Sequence, residues 1–493
     1  MRRRRISLQG LLGMVVGTLS LLMIANGIGQ AEDGAMKPTL GASSATPAGF
    51  PAGGGNTPRL LESTSMEDLL LEKGVISLDD WIRIKAEDER RQSERSVVAE
   101  FTGSPRWYDR LSMYGYGMMR FNRLGNPDGK LRSYHDASMG DQASGAQPGF
   151  FFRRIRWVVT GQISEHVSVF VQPDLASNIS GNTHALSMRD AFGDWNFDKD
   201  KEFRLRVGLQ RVPCSFDNWQ ASRVRMAIDR ADGTNSCATS ERDMGVAFMW
   251  SPKIAQQRYK QMLDYMYGPG DYGVFHIQIY NGQGLNQQEA NGNKHIGARL
   301  SWPWELPGGR LMETGINAMS GKFRVSNGTL NTTSQFATLG SNFDGATSGS
   351  NGKDYMDQRV NFYVYFPPQP FGFIAEYTTG RGPKRGLDGI IRDSKLDGGY
   401  VQLHYQWKYS DVGLANFYSR YQQYQGGLKF QTGAPDDKMK EVETGIAWQP
   451  DPQWEFTVAH AWMDRRNTFS TSGGRQFDAD GHLVRLQAVW FWN

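Results

Sequence analysis

Two cysteines and eight histidines in 493 residues leave little material for a metal centre. Cys214 and Cys237 form a single pair, without the second pair that a structural zinc site needs. No HExxH helix and no GxSxG elbow occurs, so the common signatures of metalloproteases and serine hydrolases are missing. Long apolar runs are scarce as well. Beyond residue 31 nothing approaches the roughly 20 residues of a membrane-spanning helix, and any crossing there has to be made by strands closed into a barrel. Net charge is the last absence. The formal +4 is carried by Arg2, Arg3, Arg4 and Arg5, so the chain after residue 31 is neutral. It has no basic tail for nucleic acid, and any charge preference must come from where residues sit.

What is present begins with a leader. Arg2–Arg5 make a basic start, Leu11–Ile24 an apolar stretch, and Gly29-Gln30-Ala31 a small-residue cleavage signal, which predicts a signal peptide over residues 1–31. Residues 32–60, rich in Gly, Ala, Ser and Pro, read as a flexible linker. Residues 61–100 read as a helical, coiled-coil-like module. Ser65-Met66-Glu67-Asp68 and Ser77-Leu78-Asp79-Asp80 each give an N-cap with an acid three residues on. Leu69, Leu70, Val75, Ile76, Leu78, Trp81, Ile82 and Ile84 supply apolar surface, which suits self-association or contact with a periplasmic or cell-wall neighbour through residues 65–96; a fraying spacer is the other reading.

From residue 107 to 493 strand patterning takes over. In 150–174, Phe151, Ile155, Trp157, Val159 and Ile163 fall on one parity, and Phe152, Arg154, Arg156, Thr160 and Gln162 on the other. Strand side chains alternate between faces, so one wall of this hairpin is apolar and the other polar and cationic. The same split recurs at 203–210, 272–280, 401–408 and 484–492. Eight long polar loops alternate with short links. They fall near 122–149, 176–187, 212–241, 281–293, 321–356, 381–397, 425–437 and 466–480. The link from Ser251 to Asp271 is long and partly helix-like. Eight hairpins imply an all-β fold, a transmembrane antiparallel barrel of about sixteen strands with short periplasmic turns. The 57 glycines, 12% aromatic content and mean hydropathy of −0.54 fit strands that meet lipid at alternate residues only. Lipid is then one partner of the chain, and the bacterial outer membrane its location.

An arginine facing lipid at mid-membrane costs about 2–4 kcal/mol, so Arg154, Arg156, Arg204, Arg206, Arg299 and Arg485 are assigned to the lumen. Arg153 has the opposite parity and is assigned to the outer rim. Lumenal guanidinia offer fixed donor forks to phosphate or carboxylate and can form an anion path. They can equally be neutralised by Asp174, Glu441, Glu443 or Glu455 in a general diffusion pore; both readings stand. The 212–241 loop carries Arg211, Arg223, Arg225 and Arg230, ends at Arg242, and becomes a constriction if it folds inward. Whether Cys214 and Cys237 bond within it is open. A third class of reading, an outer-membrane hydrolase, rests on Gly181-Asn182-Thr183-His184. No reaction, cofactor or metal is assigned.

Several short segments resemble the porin O/P family, the phosphate- and polyphosphate-selective porins of Gram-negative outer membranes. They are Phe152-Arg153-Arg154-Ile155-Arg156, Val207 to Pro213, Asp229-Arg230-Ala231, Arg242-Asp243-Met244-Gly245, Glu443 to Pro450 and Arg485-Leu486-Gln487. Leu69 to Ser77 resembles the family's N-terminal periplasmic helices. The resemblance implies a homotrimer of sixteen-stranded barrels, a third loop folded inward, a lumenal arginine ladder, lysine-rich mouths, and small anions, phosphate first, as cargo. Two departures are visible: no lysine cluster stands out, and the chain ends on Asn493 rather than an aromatic.

Overall fold

In the computed structural model the chain divides into two units, residues 1–94 and 95–493. The structure describes residues 107–492, apart from 126–148, 178–183, 236–241, 266, 286, 326–352, 387–389, 411, 431–432 and 468–476, together with Leu70 and Lys73. The predicted leader and linker lie outside the described residues, and so does the helical module apart from Leu70 and Lys73.

Sixteen strands form one closed sheet. They are β1 (Leu111–Gly125), β2 (Phe150–Gln162), β3 (Val167–Ser177), β4 (His184–Asn196), β5 (Phe203–Arg211), β6 (Arg242–Trp250), β7 (Phe275–Tyr280) and β8 (His295–Leu306). Then follow β9 (Arg310–Arg324), β10 (Asp354–Phe366), β11 (Phe371–Arg385), β12 (Ile391–Lys408), β13 (Leu414–Gly427), β14 (Asp436–Asp451), β15 (Trp454–Asn467) and β16 (Phe477–Trp492). Each pairs antiparallel with its neighbours in sequence, and β1 pairs with β16 to close the ring. Closure leaves no free edge, which a sheet in lipid requires.

The two-faced pattern is borne out along the wall. Val207, Ile277, Ile279, Val401, Leu403 and Leu486 are exposed outward, whereas Arg206, His276, Gln278, Gln402, His404 and Arg485 are buried inside. The closing seam is packed tightly. Trp490 and Trp492 of β16 lie over Gly117 and Gly115 of β1, where any Cβ would run into the indoles.

Arg153 departs from expectation. The β1–β2 register slips between Met118/Met119, so that Met118 faces Arg154 and Met119 faces Phe152, leaving Arg153 as the extra residue of a bulge. The bulge resets the alternation. Phe152 faces outward although it shares Arg154's parity, and the Arg153 guanidinium stands 3.9 Å from Asp229, inside the barrel rather than on the outer rim.

Several loops are also shorter than the sequence suggests. The 381–397 stretch is mostly strand, with β11 reaching Arg385 and β12 starting at Ile391. Above the lipid, the outward residues of a strand are polar, and the alternation on which the sequence reading relies fades there.

Two segments enter the ring. The third loop carries two single-turn helices, α1 (Phe216–Trp219) and α2 (Asp232–Asn235). The long link between β6 and β7 contains α3 (Lys253–Tyr265), the helix its sequence suggested. Ala255, Tyr259 and Met262 of α3 belong to one buried cluster with Phe216 and Ala231 of the third loop and with Leu311, Tyr363, Tyr365, Ile374 and Tyr400 of the β9–β12 wall. Part of the lumen is therefore filled by an apolar plug, and polar side chains are left along the wall formed by β1–β5 and β14–β16.

Candidate functional site

The third loop sits inside the barrel because its polar groups find partners there. Ser215 caps α1 by accepting from the Asn218 backbone N–H at 3.0 Å. The Trp219 indole donates to Asn317 at 3.2 Å, the Asp217 N–H to Glu376 at 3.1 Å and the Ile228 N–H to Glu443 at 3.1 Å. Arg420 donates to the Asp229 carbonyl at 2.6 Å. Residues 211–220 and 224–231 are all buried. Cys214 is disulfide-bonded; the sequence's other cysteine, Cys237, lies outside the described residues.

The predicted lumenal arginines all face inward, and most are neutralised. Arg156 donates to Asp174 at 2.9 Å, which also accepts from Arg189 at 3.0 Å. Arg206 grips Asp194 with two bonds of 2.7 and 2.9 Å and stacks on Phe192. Arg204 pairs with Asp271 of the β6–β7 link at 2.9 Å, and Arg299 pairs with Glu313. Arg485 pairs with Asp229 at 2.7 Å and lies 3.7 Å from Glu443.

The loop arginines divide differently. Arg242 forks onto Asp190, with contacts of 2.9–3.0 Å. Arg211, Arg225 and Arg230 donate to backbone carbonyls and brace the loop from within, with Arg225 also 4.0 Å from Asp217. Of the acids singled out in the sequence, Asp174 and Glu443 neutralise lumenal arginines, and Glu441 lies 3.6 Å from Arg420. Glu455 has no ion pair among the described residues.

Two guanidinia stand apart. Arg154, buried to 4% exposure, donates to the Ser222 hydroxyl and pairs with no carboxylate among the described residues. Its Nε is buried without a partner. Arg223, next to Ser222 in the loop, is half-buried and likewise pairs with no carboxylate among the described residues. Ser222 also accepts from Arg156 at 3.1 Å, and Tyr116 completes the group by accepting from Arg156 at 3.0 Å. Just beyond, Asp229 is shared by Arg120 at 3.0 Å and Arg485, with Arg153 close by. Burial alone would raise the Asp229 carboxyl, but Arg120, then Arg485 and Arg153, hold it below the ordinary carboxylate range.

Sequence reading overlooked Arg120, Arg189, Ser222, Asp190 and Asp194, and it placed Asp229 within a family-like segment without giving it a role. Arg120 and Asp194 sat on inward parity and could have been found; Ser222 carries no local signal, since its role, like that of Asp229, depends on the path of the loop. His184 begins β4, and its side chain lies outside the described residues.

Arg154, bonded to the Ser222 hydroxyl, and Arg223, the next residue of the loop, both without a carboxylate among the described residues, leave cationic donors unused on this side of the lumen. They suit a small oxyanion, which would bond to the free N–H groups in short, charge-assisted fashion. Residues 130–490 match the family model for phosphate-selective porin O and P. The chain belongs to that family. This porin also resembles solved outer-membrane structures in architecture. OmpT of Vibrio cholerae is 9% identical, with 78% of this chain and 97% of that one covered and a TM-score of 0.44. The anion-selective porin from Comamonas acidovorans is 10% identical, over 77% and 99%, with a TM-score of 0.44. Salmonella typhi OmpF in complex with daunomycin is 13% identical, over 77% and 97%, with a TM-score of 0.45. Likenesses this distant carry no functional argument. No curated protein matches the chain. As a member of a porin family with a closed sixteen-strand barrel, the protein is an outer-membrane porin.

Proposed function

We propose that this porin passes small anions, phosphate first, and that its selective step lies at Arg154, Ser222, Arg223 and Arg156. The reading rests on two guanidinia without carboxylates among the described residues, Arg154 of β2 and Arg223 of the third loop. Arg204, Arg206, Arg242, Arg299 and Arg485, each held by an acid, then shape the lumen rather than bind cargo. An anion loses part of its water shell at the loop, gains the free donors of Arg154 and Arg223, and leaves because only two unneutralised cations hold it. Conduction needs such modest binding. Single-channel recording tests this. Chloride current should be blocked by phosphate, and Arg154→Ala should weaken the block by about 10- to 150-fold, the loss of one charged hydrogen bond of roughly 1.5–3 kcal/mol. An unaltered block in both Arg154→Ala and Arg223→Ala removes the assignment.

The neutralised arginines favour one second reading, a general diffusion pore, which the same recording identifies by a chloride current indifferent to phosphate. We also propose that the chain catalyses no reaction, that it is exported with cleavage after Ala31, and that it assembles as a trimer. Ester hydrolysis abolished by His184→Ala, a mature N-terminus other than Glu32, or a monomer by native mass spectrometry would each remove one of these.

A further inference from the structure

A second cationic feature lies outside the lumen, on the outward wall at the upper edge of the lipid-facing band. Arg381 of β11 and Lys395 of β12 are directly opposite each other across the strand pair, and both are exposed outward. Like charges in directly opposed positions destabilise a sheet unless something neutralises them. Two strands further on, Lys438 and Lys440 of β14 also point outward and are exposed. None of these four cations forms an ion pair among the described residues. Most of the nearby acids are engaged, and Asp436, close to Lys438, pairs with Lys384 at 3.5 Å. Asp397 accepts from Gln425 at 2.8 Å, Asp393 from the Met356 N–H at 2.9 Å, and exposed Asp464 faces Lys440 across the strand pair without bonding to it.

Directly below this patch the outer wall is hollowed. An apolar groove of about 900 Å³ runs up the barrel from Trp304 past Leu300, Phe362 and Val401 to Tyr377, Gly399 and Gln423. Its upper end meets the cations in register, because Tyr377 faces Gly399, Gly399 faces Gln423 and Gln423 faces Lys440. The Arg381–Lys395 pair is two outward positions above Tyr377 and Gly399. The upper end lies toward the long loops, and therefore toward the outer leaflet.

We propose that this wall is a binding site for a phosphorylated lipid of the outer leaflet. The acyl chains occupy the groove, one phosphate neutralises Arg381 and Lys395, and a second is held by Lys438 and Lys440. A lipid is favoured over free phosphate because the cations stand at the head of an apolar groove on the face that meets the membrane. Phosphate in water has no use for that groove.

Binding of a bis-phosphorylated glycolipid to the detergent-solubilised porin, followed by native mass spectrometry, tests the site. The wild-type chain should hold the lipid at least tenfold more tightly than the dephosphorylated lipid. Arg381→Glu with Lys395→Glu should lose about tenfold, Ala375→Phe in the groove should lose several-fold, and Arg123→Glu on β1 should lose nothing. Equal affinity of the wild type for the dephosphorylated lipid overturns the proposal without any variant having to fold. Displacement by millimolar inorganic phosphate overturns it in favour of a free-ion site. Channel conductance in the Arg381/Lys395 variant should match wild type; a lost anion preference would place these residues in the conduction path and equally overturn the inference.

Discussion

Arg154 and Arg156 are two residues apart on one face of one strand, yet their states differ. Arg156 has Asp174 beside it, whereas among the described residues Arg154 bonds to a serine hydroxyl and to no carboxylate. Period-two reading placed both in the lumen, because it reports which face a side chain takes. It does not report the counter-ion, which comes from a strand or loop remote in sequence. Lys429 illustrates the same limit. In the loop after β13, its ammonium is buried on Asp357 between Phe323 and Phe430, and burial pushes it down to about 8 against the pull of Asp357. The unfolded chain then binds more protons than the folded one between about 8 and 10.5, so stability should rise with pH through that window by at most about 3 kcal/mol. Below about pH 8 the burial cost is present in full. Urea unfolding in lipid at pH 8 and pH 10 should show the rise in the wild type and its disappearance in Lys429→Met.

Elements were more legible than their ends. The number of strands followed from counting loops, and the hairpin alternation held wherever lipid lies on one side. It failed at the bulge, where one extra residue carried Arg153 inward and Phe152 outward. No composition signal marks an inserted residue in a run of Phe and Arg. The β1–β16 seam was invisible for another reason, since it joins the two ends of the barrel sequence and needs the ring to exist first. There Gly117 is required by the Trp490 indole lying over it. Gly117→Val should cost about 1–3 kcal/mol by overpacking, seen as a lower fraction of heat-resistant folded band on electrophoresis. Trp490→Ala in the same chain should restore part of it.

At the scale of the molecule, the barrel interior is divided between an apolar plug, built by α3 and the third loop, and polar side chains along the opposite wall. Sequence could suggest that the 212–241 loop turns inward, through its arginines, but not that α3 reaches it from the other end of the ring. Both segments recognise inward side chains of strands far away in the chain, and such recognition leaves no periodic trace. Asp229 is the most demanding case, because it is shared by Arg120 and Arg485, 109 and 256 residues distant. Asp229→Asn should cost about 3–5 kcal/mol, as expected when a buried ion pair loses one partner, and single-channel traces should show a larger, noisier conductance as the loop loosens.

Those two arginines belong to the first and last strands, which touch only along the seam. The third loop thus finds its full set of contacts only in a finished ring. A barrel still open along its side offers Asp229 one arginine or the other, so the third loop lacks one of its anchors until the ring closes. The seating of the loop is therefore coupled to completion of the ring through Asp229. Any defect that parts the first strand from the last, such as a crowded seam at Gly117, should widen the pore before it unfolds the protein.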